Sequence, residues 1–229
     1  MRLITVAGPP SGGKTSVLLK TLELLKTEKT VIGVIKFDCH STSDDRVLTE
    51  AGVISGKGLA GVLCPDHYFV SNLDSVIAWG EKHALDIVII ESAGLCNRCS
   101  PHLREHLAIC VVDNVSGLNT PSKIGPMLKL ADIVVITKGD IVSQAEREVF
   151  AYRVQQIVPR ARIVPVNGRT GQGAFTLSKV LLETTSRKRP DSMLRLRFPM
   201  PAALCSYCLG ETRVGADYQI GQFKKLELE

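Results

Sequence analysis

One stretch limits what this chain can fold into: Gly8-Pro9-Pro10-Ser11-Gly12-Gly13-Lys14-Thr15. An apolar run, Arg2 to Ala7, leads into it, and a helical periodicity (Val17, Leu18, Leu22, Leu25) leaves it. This is G-x-x-x-x-G-K-[ST] in the strand-to-helix context the motif needs. Glycines let backbone N–H groups turn inward around phosphate oxygens, and the helix N-terminus adds partial positive charge. Gly8, Ser11, Gly12, Gly13 and Ser16 belong to that cradle. Lys14 reaches the terminal phosphates, and the Thr15 hydroxyl holds Mg²⁺. A chance glycine-rich turn would lack the flanking strand and helix.

Further apolar runs predict the other strands of a mostly parallel central sheet with helices on both faces, the α/β architecture of P-loop NTPases. The runs are 31–37, 58–63, 86–90, 106–113, 132–136 and 162–166. Between them, 44–51, 73–83, 123–131, 144–158 and 176–185 read as helices, and Trp79 as a packing residue. Three strand ends carry chemistry. Asp38, just past the second strand, is placed to face Mg²⁺ or the attacking water, or else is a turn aspartate. Glu91 ends the 86–90 strand and is followed by Ser92-Ala93-Gly94, so its carboxylate orders Mg²⁺ and the Gly94 N–H senses the last phosphate. Thr137-Lys138-Gly139-Asp140 ends a third. There the aspartate accepts from both N1–H and N2–H₂ of guanine while the lysine stem covers the base, which argues for GTP over ATP. Asn167, in a glycine-rich loop after the last strand, lies against the base.

The seven cysteines are the unusual part of the composition. With no leader-like segment before the first strand and no apolar run of ~18 residues, the chain reads as cytoplasmic, where disulfides are rare and paired cysteines serve metals or redox chemistry. Cys64 and His67 flank a proline and aspartate and are either a ligand pair or a buried cysteine beside a surface histidine. Cys96 and Cys99 form one C-x-x-C directly after the Gly94 turn, and Cys205 and Cys208 form another in the tail. Four such thiolates suit Zn²⁺ or an iron–sulfur cluster such as [4Fe–4S], within one chain or across a dimer; structural or redox cysteines are the alternative. Cys110 sits in an apolar strand and reads as core. The tail from residue 186 is basic, then proline-interrupted, and predicts a small β-ribbon (DYQIG with FKKLELE) beyond a P-loop domain at 1–185. The net charge of +5 is mild, and few aromatics accompany the basic cluster, so no nucleic-acid partner is expected.

Taken together, GPPSGGKT, KFDCHSTSDD, GVLCPDH, DIVIIESAG, ITKGD and NGRTGQG resemble, over about residues 1–185, the SIMIBI-class P-loop GTPases of the HypB/UreG type, which serve nickel insertion into hydrogenase and urease. The resemblance implies that Asp38 is the acidic switch residue near Mg²⁺, that Lys138 and Asp140 read guanine, and that a nucleotide-dependent homodimer forms. It also implies Cys64 and His67 as ligands of Ni²⁺ or Zn²⁺. The family's Cys-Pro-His is interrupted here by Asp66, so His67 falls one residue late. The implied function is GTP hydrolysis coupled to delivery of a metal or Fe–S centre to a client metalloenzyme or maturation protein. An ATP-dependent Fe–S protein is the second reading. A small-molecule kinase is disfavoured by the lack of an arginine-rich lid segment.

Overall fold

A computed structural model describes residues 1–26, 28–183, 194–199, 211–219 and 223–228. Seven strands make one sheet: β1 (Arg2–Ala7), β2 (Ile32–Asp38), β3 (Ile54–Leu59), β4 (Ile87–Ser92), β5 (Leu107–Asp113), β6 (Ile133–Thr137) and β7 (Arg162–Pro165). Their order is β3-β2-β4-β1-β5-β6-β7, and every pairing is parallel. Parallel strands are buried on both faces, which is why they read as near-continuous Val/Ile runs.

Alternation along the strands sends successive side chains to opposite faces. Ile87 and Ile89 pack with α1 (Lys14–Glu23) and α8 (Ala174–Glu183). Val88 and Ile90 pack with α3 (Pro65–Ser71) and α4 (Leu73–Lys82), where Phe37, Phe69 and Trp79 are buried. α2 (Asp44–Glu50) covers β3, and α7 (Gln144–Ile157) buries Phe150 and Val154 against β5 and β6. α7 begins with a capping box, Ser143 with Glu146.

Two stretches depart from the sequence expectation. The strand predicted at 58–63 is Ile54–Leu59, and α3 follows directly. Glycines 56 and 58 break the apolar alternation there, and at Gly58 a Cβ would lie 2.7 Å from the Phe37 ring. Cys64 is the N-cap of α3 and Pro65 opens it, a position where a missing N–H costs nothing. The helix expected over 123–131 is two single turns, α5 (Thr120–Lys123) and α6 (Pro126–Lys129), because Gly125-Pro126 interrupts it.

After α8 the described tail returns to the domain. Leu196 N–H donates to the Thr212 carbonyl at 2.6 Å, and Arg195 pairs antiparallel with Arg213. Leu196, Val214 and Leu226 are buried in the same cluster as Phe37 and Phe69. The expected pairing of DYQIG with FKKLELE is not found among the described residues. Residues 216–218 form a 3₁₀ turn, and Asn72 takes the backbone of 224–226 instead: its Nδ2 donates to the Lys224 carbonyl (2.9 Å) and its Oδ1 accepts from Leu226 N–H (2.7 Å). Cys205, Cys208 and the basic 187–189 cluster lie outside the described residues. Among the described residues, no helix is long and apolar enough to cross a membrane.

Candidate nucleotide and thiol site

The Gly8–Thr15 loop sits at the carboxyl end of β1, where ligands bind in open parallel sheets. Its backbone is the strained one such a loop needs: Gly8, Ser11 and Gly13 have φ of 146°, 60° and 89°. Lys14 is buried and donates to the carbonyls of Gly8 and Pro9 (2.9 Å each) and Ala93 (3.2 Å). Burial lowers its pKa, with Glu91 pulling the other way. A cavity of about 450 Å³ opens beside it, lined by Thr15, Lys36, Asp38, Asp44, Glu91 and Leu95 among others.

Thr15 Oγ1 lies 3.0 Å from Asp44 Oδ2 and 2.9 and 3.1 Å from the two Glu91 oxygens. A hydroxyl and two carboxylates are hard oxygen donors, the set that suits Mg²⁺. Asp38 lines the same cavity, but its Oδ1 accepts from its neighbour's Cys39 N–H (2.7 Å). The carboxylate that meets Thr15 together with Glu91 is Asp44, which the sequence reading missed. So is Lys36, whose ammonium bridges Glu91 and Asp44. A lone lysine within the apolar run VIGVIKF was the available signal, since a buried charge needs partners.

The second cavity, about 510 Å³, is lined by Asn114, Gly139, Asp140, Arg147, Asn167 and Gly173 among others. Thr137 holds this loop to the phosphate loop, its Oγ1 donating to the Gly12 carbonyl at 2.7 Å. Asn114 Nδ2 donates to the Thr137 carbonyl (2.8 Å). Asn167 Oδ1 accepts from the N–H groups of Arg169 and Thr170, which shapes its loop. The Lys138 ammonium lies 3.7 Å from Asp113 Oδ2.

Among the described residues two of the cysteines meet an aspartate, while a four-cysteine set would need Cys205 and Cys208, which lie outside them. Cys64, Asp66 and Cys99 bring their ligand atoms within 4.8 Å of one another. The Cys64 thiol is held below its usual range by a hydrogen bond from Cys99, while that bond and burial push Cys99 up. In the turn between Cys96 and Cys99, the Cys99 N–H reaches the Cys96 carbonyl at 3.4 Å. Asp66, not His67, stands with Cys64 in this group. Burial raises the Asp66 carboxyl to about 6, against the pull of the Ser92 hydroxyl that donates to it. His67 is buried too, and burial lowers it to about 4. Cys110 is fully buried and pushed up to about 12, as a core cysteine is.

One peptide touches both sites. β4 delivers Glu91 to Thr15, Ser92 to Asp66, and Ala93 to Lys14. Gly94 (φ 71°) then passes so close to the phosphate loop that a Cβ would lie 1.8 Å from the Gly8 carbonyl oxygen. Its N–H is 3.4 Å from Ser92 Oγ. Cys96 and Cys99 follow at once.

This fold and loop define a P-loop nucleotide-binding protein of the parallel-sheet class. The family described as CobW/HypB/UreG, nucleotide-binding domain, matches residues 2–165, and the chain belongs to it. A protein of Methanocaldococcus jannaschii described as uncharacterised is 44% identical over 227 residues, covering 99% of this chain and 97% of that protein. Among solved structures, the hydrogenase maturation factor HypB of Archaeoglobus fulgidus superposes with a TM-score of 0.64 at 21% identity, covering 80% of this chain and 89% of that one. HypB of Helicobacter pylori, solved in complex with nickel, gives 0.62 at 20% identity, with 80% and 86% covered.

Proposed function

We propose that the chain binds and hydrolyses GTP with Mg²⁺ and uses that cycle to hold and release a metal ion for a client metalloenzyme or maturation protein. The observation that carries this reading is the β4 peptide, which connects Glu91 and Lys14 in the phosphate cavity to Asp66 and, with it, the Cys64 and Cys99 sulfurs. Mg²⁺, when bound, supplies charge neutralisation of the phosphates. Lys14 supplies a fixed cation, and Glu91 and Asp44 supply hard oxygens, with Asp38 near enough in the cavity to orient water.

The metal is cargo in this reading. Two sulfurs and a carboxylate favour a borderline ion such as Ni²⁺ or Zn²⁺. The nickel-bound relative supports the same chemistry. An Fe–S cluster relies on Cys205 and Cys208, outside the described residues. A homodimer fits as well: Val62 (90%) and Leu95 (54%), two residues before Cys64 and one before Cys96 in the chain, are exposed apolar side chains suited to cover by a second copy.

Guanine selectivity rests on Asp140 at the mouth of the base cavity. Competition of labelled GTP with unlabelled GTP and ATP tests it. The wild type discriminates by at least about a hundredfold and Asp140→Asn loses at least about tenfold of that, because buried donors without acceptors are costly. Equal competition by ATP in the wild type would replace this reading with the ATP-dependent one.

A further inference from the structure

Lys36 stands on β2, an interior strand of the sheet, in register with Glu91 of the neighbouring strand. It is 5% exposed, and the strand before it is apolar. An ammonium so placed keeps its charge only where partners replace water. Here Nζ is 2.5 Å from Glu91 Oε1 and 3.0 Å from Asp44 Oδ2. Burial works against its charge, and the two carboxylates outweigh burial, so its pKa stands above the ordinary lysine value. The same two oxygens face Thr15 Oγ1, at 2.9 and 3.0 Å. The hard donors that the Mg²⁺–nucleotide reading calls on are therefore already shared with a tethered cation of this chain.

The charges in the cavity decide the consequence. Glu91, Asp44 and Asp38 share the cavity with Lys36 and Lys14, three negative groups against two positive ones. Adding a divalent ion alone leaves an excess of positive charge in a buried place, which is unfavourable. Adding it with a strongly negative triphosphate does not, and phosphate oxygens in the same cavity give the ammonium a new partner.

We propose that Lys36 is a positioning residue that competes with Mg²⁺ for Glu91 and Asp44, so that the divalent ion is admitted only together with the nucleotide. This rests on the Mg²⁺–nucleotide reading above. Mn²⁺ binding by the full chain, followed by electron paramagnetic resonance without nucleotide, tests it. Only Mn²⁺ that excess Mg²⁺ displaces is counted, which leaves out ions on the thiols. Lys36→Gln binds Mn²⁺ about tenfold or more tightly than wild type, the change that one charge a few ångströms away makes. Lys36→Arg, which keeps the charge, stays with the wild type. Equal affinities of wild type and Lys36→Gln overturn the proposal. If Lys36→Gln does not fold, the wild type decides: weak Mn²⁺ binding that tightens at least about tenfold when a triphosphate is added supports the proposal, and a site equally tight without nucleotide overturns it. A wild type that binds no nucleotide sinks the nucleotide reading instead, and the Mn²⁺ comparison between Lys36 variants still stands.

Discussion

His102 lies wholly inside, with both ring nitrogens engaged: Nε2 at 2.9 Å from the Met127 carbonyl and Nδ1 at 2.8 Å from Thr5 Oγ1. A carbonyl only accepts, so Nε2 carries the proton and Nδ1 accepts from the threonine. Burial lowers the ring to about 4. Above pH ~6.5 the folded and unfolded chains are both neutral there, and the residue adds no pH dependence. Below it the unfolded chain takes a proton that the folded one refuses until about pH 4, so stability falls as the pH drops through that window. For His102 the loss between pH 7 and 5 comes to about 2 kcal/mol. Urea unfolding at the two pH values measures it, and His102→Gln flattens the slope without abolishing it, because His67 is lowered in the same direction. A slope unchanged in His102→Gln would mean that the histidine is not held neutral.

At the level of elements, the phosphate loop, β2, β4 and β6 were legible because each is announced by a local pattern: an apolar run ending in a glycine-rich turn or an acid. What was not legible depends on contacts distant in the chain. Lys36 and Glu91 are separated by 55 residues, and only sheet register brings them together. Asp44 reads as an ordinary helix-start aspartate until the fold turns it toward Thr15. α3 was hidden by the glycines of β3, and with it the exchange of His67 for Asp66 beside Cys64. α3 has only seven residues, too few to be stable by propensity. Its aromatic packing and the tail clamp hold it: Phe69 and Tyr68 meet Phe37 at 5.4 and 5.8 Å between ring centroids, and Asn72 just past it binds residues 224–226. Asn72→Ala therefore destabilises the protein by about 1–3 kcal/mol, since it leaves buried backbone groups without partners. Thermal or urea unfolding reads this, and a loss within about 0.5 kcal/mol, the usual surface value, would show that the clamp carries no stability.

For the whole molecule, one strand order sets the phosphate loop beside the peptide that leads to the thiol group. β1 and β4 are neighbours, so the phosphate loop and the Glu91–Gly94 peptide emerge side by side. Gly94 presses on Gly8, and Ser92 reaches Asp66 in the next breath of chain. The proposed coupling therefore has a short path, from the phosphate loop through Gly94 and Ser92 to Asp66. The tail closes over α3 from the other side and steadies the helix that starts at Cys64. The most direct measurement is the affinity of the full chain for Ni²⁺ and Zn²⁺ under anaerobic conditions, with GDP and then with a non-hydrolysable GTP analogue. The account predicts at least about a fivefold difference between the two nucleotide states, the lower end of ordinary site-to-site coupling, and loss of the binding in Cys64→Ser and Cys99→Ser. Metal affinity that is the same with either nucleotide would contradict it.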